Sequence, residues 1–497
     1  MNPYEDVTVS IDGKGLVIYF RVQGKSFFFN GHSGFFADGM PEYAEQAFEG
    51  LARPGRERKK ILASLKARYG SACENLLREI ELFQNGNHPG LAPETRQRRF
   101  LTPMSPRAIS VYLSQGCNLA CSYCFNQGGS PGDKPSFMSL DTARLTLGFI
   151  ADIVKSGAHE SMTVFLFGGE PLLNPKATYL LARGLQDLNH DGSGAKVRLV
   201  LSTNGTIYNQ EIFDIFAECP EYSRVAVSLD ASKESHDRNR AFVEKGKGSS
   251  YDCVVGNLKR LAKKEIPRSI SCMVPYPYDF VGAAEALHRL PVESLEIKQL
   301  NRYILGKSVL PDVFQRDYDA WRGKYIEYSD YYVRYVNEKN SVKHLDRLNL
   351  PGRYASRLIA KNRPGVTLAC RVADAALAID AAGRLIPCDA FLDRPRFYLG
   401  DVKNGFHKTK YADFENWILS RGQNRIDHER CRTCFAKRLC GGGCYAEIFN
   451  NTGSLSALDE SSCVYVRETV KINLYYISQM RNFQPEIFSR MSGKTIE

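Results

Sequence analysis

No run of eighteen apolar residues occurs in the 497-residue chain, so no segment reads as a membrane-spanning helix. The opening residues, MNPYEDVTVSIDGKG, lack the basic-then-apolar order of a secretory signal. The expected location is therefore the cytoplasm. Internal repeats and long low-complexity tracts are also missing. Histidine is absent between residues 93 and 158, which removes the usual partner of cysteine in a zinc site there. Cysteine is scarce at the start: only Cys73 precedes Cys117. The net charge of +11 is spread along the chain. Its short basic runs, RERKK (56–60) and KRLAKK (259–264), read as solvated helix faces rather than a nucleic-acid footprint. A modest positive balance suits an acidic partner such as a peptide.

What is present is a globular composition, 43% hydrophobic and 24% charged, long enough for two to four domains. It also carries fourteen cysteines. In a reducing compartment clustered cysteines bind metal or react. Cys117, Cys121 and Cys124 form C-x₃-C-x₂-C, and seven more lie between Cys370 and Cys463. Cys73, Cys219, Cys253 and Cys272 fall in helix or strand patterns and read as small packing residues.

Three regions result. Residues 1–95 begin with extended runs VTVSI (7–11), LVIYFRV (16–22) and SFFFN (26–30), separated by DGKG and QGK, which predict hairpin turns. Helical patterns follow at 41–52, 56–70 and 71–86, with Leu76, Leu77, Ile80 and Leu82 as an apolar stripe and Ser71 placed to cap it. A hairpin followed by three helices is a winged-helix-like arrangement. Residues 106–300 alternate strand and helix, with strands at 108–115, 162–168, 196–203, 224–230, 269–275 and 294–300. Their apolar character predicts burial on both faces, as in a parallel sheet curled into part of a barrel. In such folds chemistry sits at the C-terminal ends of the strands. Those ends carry the three cysteines, then GGEP, STNG and SLD. Residues 301–365 read as a helical connection, and 366–497 as a cysteine- and glycine-rich unit.

Three thiolates can hold three irons of a [4Fe–4S] cluster and leave the fourth iron free. With Tyr123 after the second cysteine, this pattern resembles the radical S-adenosylmethionine (SAM) enzymes. The resemblance covers 106–300, since the other loops match in order. It implies that Gly168, Gly169 and Glu170 hold the methionine amino group, Glu170 supplying the anion. It further implies that Ser202 and Asn204, Ser228 and Asp230, and Arg240 of HDRNR contact the rest of SAM. The implied chemistry is one-electron cleavage of SAM to a 5′-deoxyadenosyl radical that takes hydrogen from an unactivated carbon.

The C-terminal pattern sets Cys388 five residues after Gly383. CRTCFAKRLCGGGC (431–444) follows, and then Cys463. A zinc ribbon is the plainer reading of one C-x₂-C, but seven cysteines do not divide into sites of four. The whole resembles the SPASM domain, which holds two auxiliary iron–sulfur clusters. By that resemblance Cys370, Cys388 and Cys444 hold the first, with Asp374 or a substrate thiolate as a possible fourth ligand. Cys431, Cys434, Cys440 and Cys463 hold the second. Asp389, in PCDAF, matches the base of anaerobic sulfatase maturases; its plainer role is a turn residue. The expected fold is α/β: a partial (β/α)6 TIM-like barrel with an N-terminal winged-helix-like domain and a C-terminal SPASM domain. The expected cofactors are three [4Fe–4S] clusters and SAM.

The N-terminal region is similar to the leader-recognition domain of ribosomal-peptide maturation enzymes. It implies that a leader adds as a strand to the third strand, around 25–31, beside the helix from Ala72 to Gln84. The expected function is a maturase that installs a thioether or carbon–carbon crosslink in a precursor peptide, served by a flavodoxin or ferredoxin, with no nucleic-acid or membrane partner. The alternatives are oxidation or crosslinking of a partner protein, of sulfatase or quinoprotein type, and a non-catalytic electron carrier or peptide-binding protein. An electron carrier would not need the SAM loops.

Overall fold

The structure, a computed structural model, describes residues 9–10, 17–31, 36–38, 42–53, 55–84, 106–124, 136–191, 194–299, 318–339, 376–392, 394–414, 428–440, 442–454 and 457–483. Cys370 and Asp374 lie outside these. Strands β1 (Val9–Ser10), β2 (Val17–Val22), β3 (Lys25–Asn30) and β4 (Phe36–Asp38) form an antiparallel sheet in chain order. Gln23 and Gly24 both take positive φ, 53° and 71°, the conformation of a two-residue hairpin whose twist matches its strands. Helices α1 (Glu42–Ala52) and α2 (Gly55–Gln84) follow. α2 keeps the break expected between helices at 56–70 and 71–86: Gly70, with φ 56° and ψ −135°, interrupts it.

The fourth strand corrects the docking expectation. β4 pairs with β3 through Phe27–Asp38, Phe28–Ala37 and Phe29–Phe36. The third strand therefore has neighbours on both sides, and a peptide cannot add to it without displacing β4. The short run FAD gave no pattern from which that pairing could be read.

The main sheet contains β5 (Ala108–Ser114), β6 (Ser161–Gly168), β7 (Lys196–Thr203), β8 (Ser223–Ser228), β9 (Arg268–Val274) and β10 (Ser294–Gln299), all parallel and in sequence order. Between them run α3 (Leu140–Lys155), α4 (Pro175–His190), α5 (Gln210–Glu218), α6 (Lys233–Asn239), α7 (Ser250–Lys263) and α8 (Phe280–Leu287). Ser139, Asn209, Ser232, Ser249 and Asp279 cap their helices, each side chain accepting a backbone N–H of the first turn.

Burial alternates along the central strands, contrary to the expectation of burial on both faces. Val164, Leu166, Leu199, Leu201, Val225, Val227 and Ile270 are buried. Their neighbours Phe165, Val200, Arg224, Ser228 and Ser271 are only partly covered. One face packs the helices; the other stays open and partly polar, unlike the filled interior of a closed eight-stranded barrel. The half-buried Lys298–Glu296 pair lies on that open face.

Beyond β5 the same sheet continues. β11 (Ala376–Ile379) pairs with β5 in parallel, and β12 (Arg384–Ile386), β13 (Gly400–Asp401) and β14 (Gly405–Phe406) add antiparallel strands. The C-terminal region thus extends the first one by hydrogen bonding. Helices Tyr318–Lys339 and Glu460–Phe483 pack on each other, with Trp321 against Tyr465 at 5.2 Å between ring centroids and Arg322 paired with Glu468 at 3.4 Å. Among the described residues, no helix is long and apolar enough to cross a membrane.

Candidate active site

The C-terminal ends of β5 to β8 converge. After β5, Ser114 Oγ accepts from Gly116 N at 3.0 Å, which folds the chain into the cysteine loop. The loop then meets the end of β6: Gly169 N donates to Ser114 O at 2.7 Å and Glu170 N to Gly116 O at 2.9 Å. A Cβ on Gly168 would overlap the Ser114 carbonyl, and one on Gly169 the Gly116 carbonyl. Gly168 also has φ 145°. The glycines are therefore required by the contact between two loops of the chain itself.

Glu170 is fully buried. Its carboxylate accepts from Asn204 N at 2.7 Å, Thr203 Oγ1 at 2.8 Å and Leu172 N at 3.0 Å. Burial pushes its pKa up to about 7 against those three donors. The resemblance makes this side chain the anion for an ammonium group; in the structure it also braces the β6 loop to the β7 loop. Asn204 carries the brace onward. Its Nδ2 donates to Asn118 Oδ1 at 2.7 Å and points to Cys117 Sγ at 3.6 Å. Asn118 Nδ2 in turn donates to Thr206 Oγ1 at 2.8 Å. Ser202 and Ser228 lie on the open face of β7 and β8, opposite the buried Leu201 and Val227.

A second buried network holds the loop from the β8 side. Tyr123 donates to Asp230 Oδ2, and Arg240 Nε donates to Asp230 Oδ1 at 3.2 Å. The Arg240 guanidinium also lies 5.2 Å from the centre of the Tyr123 ring. Asp230 N donates to His236 Nδ1 at 3.1 Å, and burial lowers the His236 pKa to about 4, so this imidazole is neutral at pH 7. The stretch after α6 pairs with the cysteine loop: Ala120 N to Ala241 O and Ser122 N to Asn239 O, both 2.8 Å, and Val243 N to Asn118 O at 3.0 Å. The sequence placed Arg240 near SAM; that it runs beside Cys121 and locks onto Asp230 follows only from the fold.

The three thiols suit a cluster by chemistry and setting. Cys117, Cys121 and Cys124 are each partly covered and free of disulfides. Burial pushes Cys117 up to about 12 and Cys121 to about 11, with Arg240 opposing the shift at Cys121. A shared cationic centre would favour the thiolates and reverse that penalty. Among the described residues, no three His, Cys, Asp or Glu side chains already stand as a metal-binding group.

The C-terminal cysteines fall into two neighbourhoods. Cys444 raises the pKa of Cys388, which burial takes to about 12. Cys440 and Cys431 act in the same way on Cys463, also at about 12. Cys434 N donates to Cys431 O at 3.2 Å. Each sits at a helix end or turn: Cys388 and Cys444 precede short helices, Cys440 ends one, and Cys463 lies in the first turn of Glu460–Phe483. Asp389 follows Cys388, and Ser110 Oγ on β5 donates to its Oδ2 at 3.4 Å. Its Oδ1 is shielded from solvent and unpartnered among the described residues, and burial raises its pKa. The interaction between Asp389 and β5 had no signal in the sequence.

Residues 111–289 match the Radical SAM superfamily model. An AdoMet-dependent heme synthase of Methanosarcina barkeri is 31% identical over 172 residues, 34% of this chain and 43% of that protein. A cysteine-type anaerobic sulfatase-maturating enzyme of Clostridium perfringens is 25% identical over 363 residues, 69% of this chain and 89% of that one. Among solved structures, anSMEcpe with bound AdoMet superposes with TM-score 0.61 at 19% identity, covering 78% of this chain and 98% of that one. Streptococcus suis SuiB bound to precursor peptide SuiA does so with TM-score 0.51 at 13% identity, covering 91% and 99%.

Proposed function

Because this chain is an enzyme of the radical SAM superfamily, with its domain at 111–289, we propose that it is a peptide maturase that installs a thioether or carbon–carbon crosslink in a ribosomally made precursor. The observation that carries this reading is the extent of structural likeness. The fold shared with a peptide-bound SuiB spans 91% of the chain, against 78% for anSMEcpe. An N-terminal sheet with two helices precedes the superfamily domain, which gives a leader a place to bind. Its outer strands are β1 and β4.

In this reading Cys117, Cys121 and Cys124 hold one [4Fe–4S] cluster. Cys388 and Cys444, with Cys370, hold a second, and Cys431, Cys434, Cys440 and Cys463 a third. When bound, the first cluster and SAM supply one-electron chemistry able to remove hydrogen from an unactivated carbon. The chain's own contribution is position. Glu170 and Asn204 fix the β6 and β7 loops against Cys117. Tyr123, Asp230 and Arg240 fix Cys121 from the other side. Gly168, Gly169, Ser202, Ser228, Asp230 and Arg240 line the route by which SAM is held. The open polar face of the sheet leaves room for an extended peptide. Asp389, anchored to β5 by Ser110, takes the proton released as the new bond forms. Auxiliary clusters held by the C-terminal cysteines would accept the remaining electron, and a flavodoxin or ferredoxin would supply the electron that starts the cycle.

The test is anaerobic incubation of the reduced enzyme with SAM and candidate precursor peptides drawn from short open reading frames near its gene. The expected products are 5′-deoxyadenosine and a peptide two hydrogens lighter, with a fragmentation gap between the joined residues. An aldehyde at one Ser or Cys, without a gap, would support the sulfatase-type alternative. Absence of 5′-deoxyadenosine with every peptide would overturn the proposal.

A further inference from the structure

The N-terminal sheet packs on Phe435 and on the helix Glu460–Phe483, parts of the segments that carry the second group of C-terminal cysteines. Gly31, at the end of β3, is buried against Phe435, the residue after Cys434; a Cβ there would overlap the Phe435 carbonyl. Phe29 meets the Phe435 ring edge-on, with centroids 6.2 Å apart. Phe27 meets Tyr475 at 6.4 Å, on the helix that carries Cys463. A polar contact closes the third side: Lys25 Nζ donates to Ser478 Oγ at 2.6 Å, Ser478 Oγ donates to Asp38 Oδ2, and Lys25 pairs with Asp38 at 3.5 Å. Both β3 and β4 are therefore tied to the helix Glu460–Phe483.

We infer that Cys431, Cys434, Cys440 and Cys463 are the structural seat of the N-terminal sheet, so that occupancy of their site and binding at the sheet are thermodynamically linked. The inference rests on reading these cysteines as cluster ligands. The physical argument is one of shared parts. Cys434 and Phe435 are adjacent, so fixing one in a metal site restricts the backbone that Gly31 abuts. Cys463 and Tyr475 share a helix, so fixing its first turn sets the surface on which Phe27 rests. Burial without slack at Gly31 turns a shift of that backbone into a shift of β3. Linkage then runs both ways: a ligand that reorders β3 or β4 must change the affinity of the cysteine site by the same factor.

Hydrogen exchange on the purified, cluster-loaded protein tests this. In Cys431→Ala/Cys434→Ala, iron should fall by about four atoms per chain. Amides of β2 and β3 should exchange about tenfold faster or more. In Cys121→Ala iron should fall by the same amount while those amides stay protected. Unchanged iron in the double variant would overturn the ligand reading. Lower iron with unchanged exchange in β2 and β3 would overturn the linkage and leave the ligand reading standing. If the double variant does not fold, Phe435→Leu in the otherwise intact chain carries the same test. It should release iron to a chelator several-fold faster than the wild type, and equal rates would overturn the linkage.

Discussion

The two cysteine groups that bracket the sheet are built in opposite ways. Cys117, Cys121 and Cys124 sit in a loop sewn to the ends of four strands. Backbone pairs reach β6 and the stretch after α6, and Asn204 and Arg240 supply side-chain contacts. Cys431 and Cys440 sit in four-residue helices, Cys434 lies between those helices, and Cys463 is in the first turn of Glu460–Phe483. The first group is a loop shaped by its scaffold. The second is a run of short helices and turns which, in the proposed reading, takes its shape from what its cysteines hold. A metal site of the second kind contributes to folding, whereas one of the first kind is received by a fold already made.

The sharpest way to break this contrast is to remove one ligand from each group. Cys121→Ala should abolish 5′-deoxyadenosine formation with little change in thermal unfolding. Cys431→Ala should lower the unfolding temperature while leaving some SAM cleavage in the absence of peptide. The reverse pattern in calorimetry and product analysis would show that the scaffold argument is wrong.

Next in size is Asp230→Asn, which breaks a buried ion pair and leaves Arg240 uncompensated; a loss of about 3–5 kcal/mol is expected. Denaturant unfolding measures it, and SAM affinity by calorimetry should fall with it. Glu170→Gln replaces one of two accepting oxygens with a donor facing Thr203 or Asn204, at about 1–3 kcal/mol. Because the side chain braces loops, SAM affinity should fall together with stability. A loss of SAM affinity with full stability would instead favour direct contact between Glu170 and the cofactor. The smallest effect belongs to Arg144→Ala, which removes an exposed partner of Asp141 on α3. Unfolding should shift by less than about 0.5 kcal/mol.

The parallel strands of the main sheet were legible because each is a β-rich run ending in turn or cap chemistry, and their observed bounds fall within two residues of those expected. That Cys117, Cys121 and Cys124 share the stretch that follows β5 was legible from spacing alone. Which face of the sheet stays open was not, because Ser and Arg alternating with Val read as noise in strands taken to be buried on both sides. The bracing role of Glu170 was hidden for a different reason. Its partners are backbone and hydroxyl donors from another loop, and no sequence pattern marks those. β4 escaped because three residues carry too little periodicity to declare a strand. Cys370, which the sequence assigns to the first auxiliary group, lies outside the described residues.

The parallel pairing of β11 with β5 has a consequence for the substrate. Cys388 and Asp389 follow β12, one hairpin from β11, and the loop of Cys117 follows β5. A continuous ladder of peptide hydrogen bonds therefore spans the two sites, with no hinge between them. Such a ladder acts as a gauge block. If the proposed peptide substrate is worked on in the gap between the two sites, that gap has one width, and selection among peptides falls to what that width admits.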